Sequence, residues 1–284
     1  MTMEGARPLA DWVGSREIRE EVISPFPAQA AAAMLDLGGT RMDQGDPLPP
    51  LWHWFYFLPK ALRSEIDKDG HPKRGGFFPP VELPRRMFAG ARTRFIEPVI
   101  IGESAAREGE ILKVSEKSGK SGRLVFVTVR YRISQAGRLR VEEEQDIVYK
   151  EPGAPIQAPV PVEHPAAVDS KSWVKEIRPD TVLLFRFSAL TFNAHRIHYD
   201  RPYALREEGY PGLVVHGPLT AVMLAGLVGE HSTRAIGSFK FQGRAPLFDL
   251  LPFRLIGRLE GDSVVLEAKG PDDSIAMQAH AELI

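Results

Sequence analysis

The sequence predicts an α+β chain: two successive antiparallel sheets fused in one polypeptide, each wrapping a helix, the helix of the second being the one the sequence marks out. Three observations lead there. Val125, Val127, Val129, Tyr131 and Ile133 alternate with Phe126, Thr128, Arg130 and Arg132, and Ile275, Met277, Ala279, Ala281 and Leu283 alternate with more polar neighbours; period two marks strands with one buried face. The run EPGAPIQAPVPVEHP at 151–165 has little to bury and divides the chain. An almost wholly apolar segment then begins at His216-Gly217-Pro218.

Taken in order, residues 1–50 read as a helical lead-in. Over 14–37 Ser24-Pro25 and Pro27 punctuate two short helices that an Ala run closes, and 38–50 form a loop. Trp52, Trp54, Phe55, Tyr56 and Phe57 crowd into six positions, as a core plug or, less commonly, a ligand-stacking edge. Residues 68–80 are a Gly/Pro-rich loop carrying Lys68, Lys73 and Arg74. The first sheet half spans 51–150, its strands becoming regular from Arg92 and bounded by the turn clusters SGKSG at 118–122 and SQAG at 134–137. A linker over 151–172 leads to the second half, 173–284. Thr93 to Pro98 correspond loosely to Ser238 to Gln242 with Pro246 beyond, and each is followed by a meander of long strands, the mark of an internal duplication.

The stretch from Phe185 to Gly229 organises the second half. It reads as an alternating strand, then a turn holding Asn193, His195, His198 and Asp200 within eight residues, then the apolar helix. Pro218 suits a first helical position and Gly217 permits close backbone approach. Leu219, Val222, Met223, Leu224, Leu227 and Val228 leave almost no polar face, so the helix is expected to be buried nearly all round. A membrane span is the rival reading, but the run falls short of the ~20 residues a bilayer needs. The unpaired N–H groups at the helix start would suit a developing oxyanion. For the polar turn, capping, a satisfied core histidine and a metal site built from His195, His198, Asp200 and His216 compete with catalysis. A closed metal site needs a fuller ligand set, and the cluster directly before a Gly-Pro helix start favours chemistry; no metal is expected.

SALTFNAHRIHYDRPYA followed by LVVHGPLTAVML resembles the hydratase motif of the MaoC-like (R)-specific enoyl-CoA hydratases and dehydratases, proteins of the hot-dog fold. The resemblance implies a double hot-dog, with a catalytic Asp and His five residues apart and a backbone oxyanion hole at the His-Gly helix start. The His position falls on His198, the oxyanion glycine on Gly217, and the Asp position on Asn193. An amide can orient water but cannot take its proton. FSALTFNxHxIHYD, with WHWFYFLP at 52–59 and LPRRMFAGARTRF at 83–95, is similar to the subgroup of mitochondrial-type 3-hydroxyacyl-thioester dehydratases and of mesaconyl-CoA and itaconyl-CoA hydratases.

That resemblance implies reversible hydration of an α,β-unsaturated acyl-CoA, in the first place a short branched dicarboxylic one such as itaconyl-CoA or mesaconyl-CoA, a step of itaconate or C5-dicarboxylate catabolism. His198 would be base and proton return, Asn193 would hold the water, and the Gly217 N–H would stabilise the oxyanion. His195, Tyr199, Asp200 and His216 would orient or cap. A free carboxylate needs a cation, for which Arg74, Arg86 and Arg196 are candidates, and the basic loop at 68–80 would suit coenzyme A phosphates. The first half is expected to keep the fold without the chemistry, as a lid or coenzyme A cradle. A linear fatty-acid dehydratase and a non-catalytic acyl-thioester-binding module are the alternatives.

Composition narrows the rest. The chain has 284 residues, 43% hydrophobic and 26% charged, with a net charge of −1 that gives no reason to expect nucleic acid or an acidic membrane. With no Cys, disulfides and thiolate chemistry are excluded, which fits a cytoplasmic enzyme. The first residues, MTMEGARPLADW, lack a signal pattern. No G-x-S-x-G, P-loop or G-x-G-x-x-G is present to support hydrolase, phosphoryl-transfer or dinucleotide readings. No cofactor beyond the substrate's coenzyme A is expected, and the hot-dog fold suggests a homodimer.

Overall fold

A computed structural model describes residues 8–119 and 122–284, so Lys120 and Ser121 of the SGKSG turn and the first seven residues of the lead-in lie outside it. The first half supplies strands β1 (Arg16–Val22), β2 (Arg85–Phe95), β3 (Ser104–Gly119), β4 (Gly122–Gln135) and β5 (Arg138–Lys150), with helix α1 (Pro25–Met34) after β1. The second supplies β6 (Trp173–Ile177), helices α2 (Thr181–Leu190), α3 (Arg201–Arg206) and α4 (Gly217–His231), then β7 (Ile236–Gly243), β8 (Phe253–Glu260), β9 (Ser263–Lys269) and β10 (Ile275–Leu283).

All ten strands join one antiparallel sheet in the order β1-β3-β4-β5-β2-β7-β10-β9-β8-β6. Read outward from the β2–β7 junction, the two arms have the same connectivity, so the duplication inferred between Thr93–Pro98 and Ser238–Gln242 falls on the two central strands. The arms meet through Gly90 to Arg94 of β2 against Ser238 to Gln242 of β7. Gly90 is required there: a Cβ would lie 2.4 Å from the Phe241 carbonyl oxygen. Two strands with side chains on both faces could not approach so closely at that point.

The alternation in the sequence translates directly into burial. Val125, Val127, Val129, Tyr131 and Ile133 of β4 all face inward. The β4–β5 hairpin closes on Ala136 and Gly137, both at positive φ (48° and 74°), as a two-residue turn matched to strand twist requires. On β10, Met277, Ala279, Ala281 and Leu283 are buried.

Two local assignments change. Residues 16–22 form an edge strand rather than the first of two helices: REIREEV alternates, and its backbone pairs with β3 from Arg16–Glu110 to Val22–Ser104. The lead-in is therefore part of the sheet, and its described helical residues are those of α1 and a single 3-10 turn at Leu9–Trp12. Phe185–Leu190, which alternates like a strand, is the end of α2. Asp180 caps that helix, its Oδ1 accepting the Leu183 N–H at 2.7 Å, and a capped helix satisfies backbone groups that an isolated strand at this place would leave unpaired.

α4 has the predicted burial, with Leu219, Thr220, Ala221, Val222, Leu224, Ala225, Leu227 and Val228 all inward and only Gly226 and the last residues, Gly229, Glu230 and His231, open. No helix among the described residues is long and apolar enough to cross a membrane. In the first half the equivalent space is filled by the aromatic run: Trp52, Phe55, Tyr56 and Phe57 are buried in the main core beside α1. The plug is pinned by Glu143 of β5, 2% exposed, which accepts from Trp54 Nε1 (3.0 Å), Gln145 Nε2 (3.0 Å) and Thr93 Oγ1 (3.3 Å) and lies 3.2 Å from His53 Nε2. Removing the shared acceptor strands several buried donors at once. Glu143→Ala is expected to lower the unfolding free energy by about 3–5 kcal/mol in urea titration, with the far-ultraviolet spectrum of the folded state retained.

Candidate active site

The site is assembled at the start of α4 by three segments. The first is the end of α2. Asn193 N–H bonds to Ser188 O (2.8 Å) and Phe192 N–H to Ala189 O (3.2 Å), while Phe192 sits in the left-handed region at φ 49°. These are the paired bonds of a Schellman termination, which places Asn193 two residues past the helix cap and turns it toward the cavity. Its Oδ1 accepts the His195 N–H at 3.0 Å, leaving the amide NH2 group for a ligand.

The second segment is the turn itself. His198 is buried, and its Nδ1–H donates to Val214 O at 2.8 Å, which leaves the Nε2 lone pair for the cavity. Its ring stacks on His216 with centroids 3.6 Å apart at 18°. His216, 1% exposed, reaches Ser188 Oγ through Nε2 (2.9 Å), and its Nδ1 has no partner among the described residues. Burial lowers the His198 pKa to about 4 and holds His216 well below the usual imidazole range, with the neighbouring imidazoles adding to the effect on His216. All of this favours neutral rings. Gly217 opens α4 with no side-chain cap, so its N–H has no intrahelical acceptor.

The third segment comes from the first half, at the start of the loop expected to hold coenzyme A phosphates, and it brings Asp69 and His71, which the sequence did not single out. In loop 67–71, Gly70 is at φ 95° and a Cβ there would lie 1.7 Å from Ala194 O, so only glycine lets this loop press onto the turn. Arg196 N–H donates to Asp69 O (2.9 Å) and Arg196 Nη1 to Lys68 O (3.0 Å). The docked loop brings Asp69 and His71 beside His195. His71 Nδ1 lies 3.0 Å from Asp69 Oδ2, and the His71 and His195 rings are 4.1 Å apart. Burial would raise the Asp69 carboxyl, but the His71 hydrogen bond and charge hold it below the ordinary carboxylate range. Donor atoms of Asp69, His71 and His195 lie within 4.8 Å of one another, the set here that could share a metal ion. The ligand set considered from sequence is not the one that converges. Asp200 instead caps α3 through the Tyr203 N–H (3.1 Å) and pairs with Arg196.

Two cavities share this site. An inner one of about 370 Å³ is lined by Asp69, His71, Asn193, His195, His198 and Gly217 among others. An outer one of about 1370 Å³ carries Lys60, Arg63, Lys73, Phe185 and Phe192. His71, Arg86, Phe88, Ile147, Asn193 and Pro218 line both and form the passage between them.

Of the sequence candidates, Tyr199 lies on the outer cavity with its hydroxyl on Ala194 O (3.0 Å). Arg196 and Asp200 line neither cavity; the Arg196 guanidinium is held by Asp200 (2.8 Å) and lies over Tyr203. Arg74 lines the outer cavity, but its guanidinium donates to the carbonyls of Val81, Leu83 and Pro84 and so staples its own loop. Arg86 stands at the passage over the Phe78 ring (4.6 Å), with no carboxylate or hydrogen-bond partner among the described residues.

A family model described as hydroxyacyl-thioester dehydratase type 2 matches residues 51–249, which reach into both arms and hold every segment of this site. The chain belongs to that family. It is 58% identical, over 96% of either chain, to a mesaconyl-C(4)-CoA hydratase of Chloroflexus aurantiacus. It is 26% identical to a mitochondrial hydroxyacyl-thioester dehydratase type 2 of Schizosaccharomyces pombe, over 73% of this chain and 77% of that one. Among solved structures, a MaoC-like dehydratase superposes with a TM-score of 0.71 at 14% identity, covering 95% of this chain and 98% of the other. A Mycobacterium tuberculosis protein with a double hot-dog fold gives 0.55 at 14% identity, with 98% of each chain covered. The double hot-dog expected from the motif is thus the fold of this hydroxyacyl-thioester dehydratase relative, and the protein is a hydro-lyase.

The stacked histidines make the site sensitive to acid. His195, His198 and His216 all bind a proton more weakly when folded than the usual imidazole value of 6.5. Protonation therefore favours the unfolded chain, and the stability present above about pH 6.5 is lost as pH falls toward 4. Thermal unfolding between pH 7 and 4 is expected to show a steep fall in Tm, flattened in His198→Gln.

Proposed function

We propose that this protein hydrates the double bond of a short branched dicarboxylic enoyl-CoA, with a mesaconyl-CoA as the substrate class. The 58% identity to the C. aurantiacus hydratase over nearly the whole of both chains carries this reading. Two features of the cavities support it. The outer cavity has the size and the exposed cations, Lys60, Arg63 and Lys73, to receive coenzyme A phosphates. The passage holds the Arg86 guanidinium, with no carboxylate partner among the described residues, where an acyl group carrying a second carboxylate would lie; a planar fork matches a carboxylate bidentately.

The chemistry follows from the groups that face the inner cavity. Addition of water at Cβ pushes the π pair toward the thioester oxygen. The Gly217 N–H and the positive end of the α4 dipole would stabilise that oxygen, a contribution of about 3–4 kcal/mol per donor in comparable sites. His198 is neutral through the physiological range, so its Nε2 can take the proton that water loses, and the Val214 bond fixes the tautomer that permits this. Asn193, with its oxygen taken by His195, can donate through Nδ2 and hold the water but cannot ionise.

A panel of enoyl-CoA thioesters, followed by loss of the conjugated-enoyl absorbance and mass spectrometry, tests the reading. Mesaconyl-CoA should be hydrated in preference to itaconyl-CoA, crotonyl-CoA and C8 esters. Preference for linear chains would overturn it in favour of a fatty-acid dehydratase, and no turnover would leave a binding module. His198→Ala should cut kcat by about 100-fold or more while leaving acyl-CoA Kd within a few-fold. Arg86→Gln should lower kcat/KM for mesaconyl-CoA roughly 30-fold, the equivalent of about 2 kcal/mol, and change that for crotonyl-CoA little, because crotonyl-CoA has no carboxylate to lose.

A further inference from the structure

We propose that His71, oriented by Asp69, is a second catalytic residue, the group that exchanges the proton at Cα; this rests on the hydratase reading above. Position 193 of the motif is an amide, so the turn offers only imidazoles, His198 and the edge-on His195, with no carboxylate behind either among the described residues, where hydration has two proton positions to serve, the water at Cβ and the carbon at Cα. The loop from the other half fills the gap. His71 lines both cavities, and with Nδ1 bonded to Asp69 Oδ2 at 3.0 Å its Nε2 is left for the cavity. The Asp69 carboxylate is itself fixed, its Oδ1 accepting the His71 N–H at 2.9 Å. Gly70 and the Arg196 N–H to Asp69 O bond clamp the pair to the turn that carries His195 and His198.

Among the described residues, His71 is the one imidazole of the inner cavity backed by a carboxylate. His198 is backed by the Val214 carbonyl, His216 by the Ser188 hydroxyl, and His195 packs between His71 and His198. A carboxylate behind an imidazole stabilises the imidazolium; a carbonyl does so less. Burial above all, with the nearby Arg86 and Arg74, holds the His71 pKa below the usual imidazole value, so the ring rests neutral, while Asp69 supports it when a proton arrives. The two groups therefore divide the task. As the water oxygen bonds Cβ, its proton passes to His198 Nε2 and the π pair becomes the enolate. The proton then passes from His198 through cavity water to His71, whose imidazolium Asp69 stabilises, and the enolate takes it at Cα from His71 Nε2. Both rings end the turnover neutral, as they began it.

The test separates the two proton positions. The saturated thioester methylsuccinyl-CoA has no 3-hydroxyl to eliminate, so incubation in D2O reads Cα exchange alone, by mass spectrometry, beside mesaconyl-CoA hydration by the same protein. Wild type should do both. His71→Gln should lose exchange and hydration by 100-fold or more, and Asp69→Asn, which keeps the size of the side chain, by about 10-fold. His198→Gln should lose hydration and keep exchange within about 3-fold. Exchange within 3-fold of wild type in both His71→Gln and Asp69→Asn would overturn the assignment, as would exchange abolished by EDTA and restored by zinc, which would make the cluster a metal site. Should His71→Gln fail to fold, Asp69→Asn alone decides. Failure of the hydratase reading is distinct: wild type would then hydrate none of the enoyl thioesters.

Discussion

The β2–β7 pairing is the constraint on which the rest depends. Five residue pairs, made possible by Gly90 lying against the Phe241 carbonyl, turn two similar meanders into one sheet. Each half then has a fixed position relative to the other. The segment entering β2, residues 66–84, lines the cavities together with Pro218 of α4, and loop 67–71 docks on the turn at 194–196. The inner cavity is consequently a junction between halves, walled by His71 and Arg86 from one and by Asn193, His198 and Gly217 from the other.

That junction explains the cost the fold carries. Four imidazoles pack in a row, His71 on His195, His195 against His198, His198 on His216, in an interior that disfavours their charged forms. A chain under selection for stability alone would fill this space with apolar side chains. Burial keeps the rings neutral, and Val214 O and Asp69 fix the tautomers of His198 and His71, which prepares lone pairs for proton transfer at neutral pH. The Asp69 and Glu143 carboxylates show two uses of a buried acid. Glu143 is saturated by four donors and holds the aromatic plug, whereas Asp69 is committed to one imidazole and faces the cavity.

Much of this was legible in the sequence. The strands of both meanders, the α4 start at Gly217 and the turn with Asn193 and His198 follow from period-two alternation, a Gly-Pro helix signal and a specific motif, all local properties. Residues 16–22 and 185–190 misled because short segments alternate in both strands and amphipathic helices. Asp180 as a cap and the β3 edge as a partner decided them, and the second of these is distant in sequence. The arginines could be named as cations but not ranked. Arg74 and Arg196 are occupied by carbonyls and Asp200, and only the packed structure shows Arg86 at the passage with no carboxylate or hydrogen-bond partner among the described residues.

The sequence by itself determined the two halves, the buried helix and the polar turn at its mouth, since each is encoded by the spacing of neighbouring residues. Only the tertiary structure decided that Asp69 and His71 join that turn. They lie more than 120 residues away in a Gly/Pro-rich loop whose local pattern spells a solvated turn, and their meeting with His195 depends on the sheet that fuses the halves and on a glycine small enough to let two backbones touch. Contacts set by long-range pairing leave no period in the chain to read.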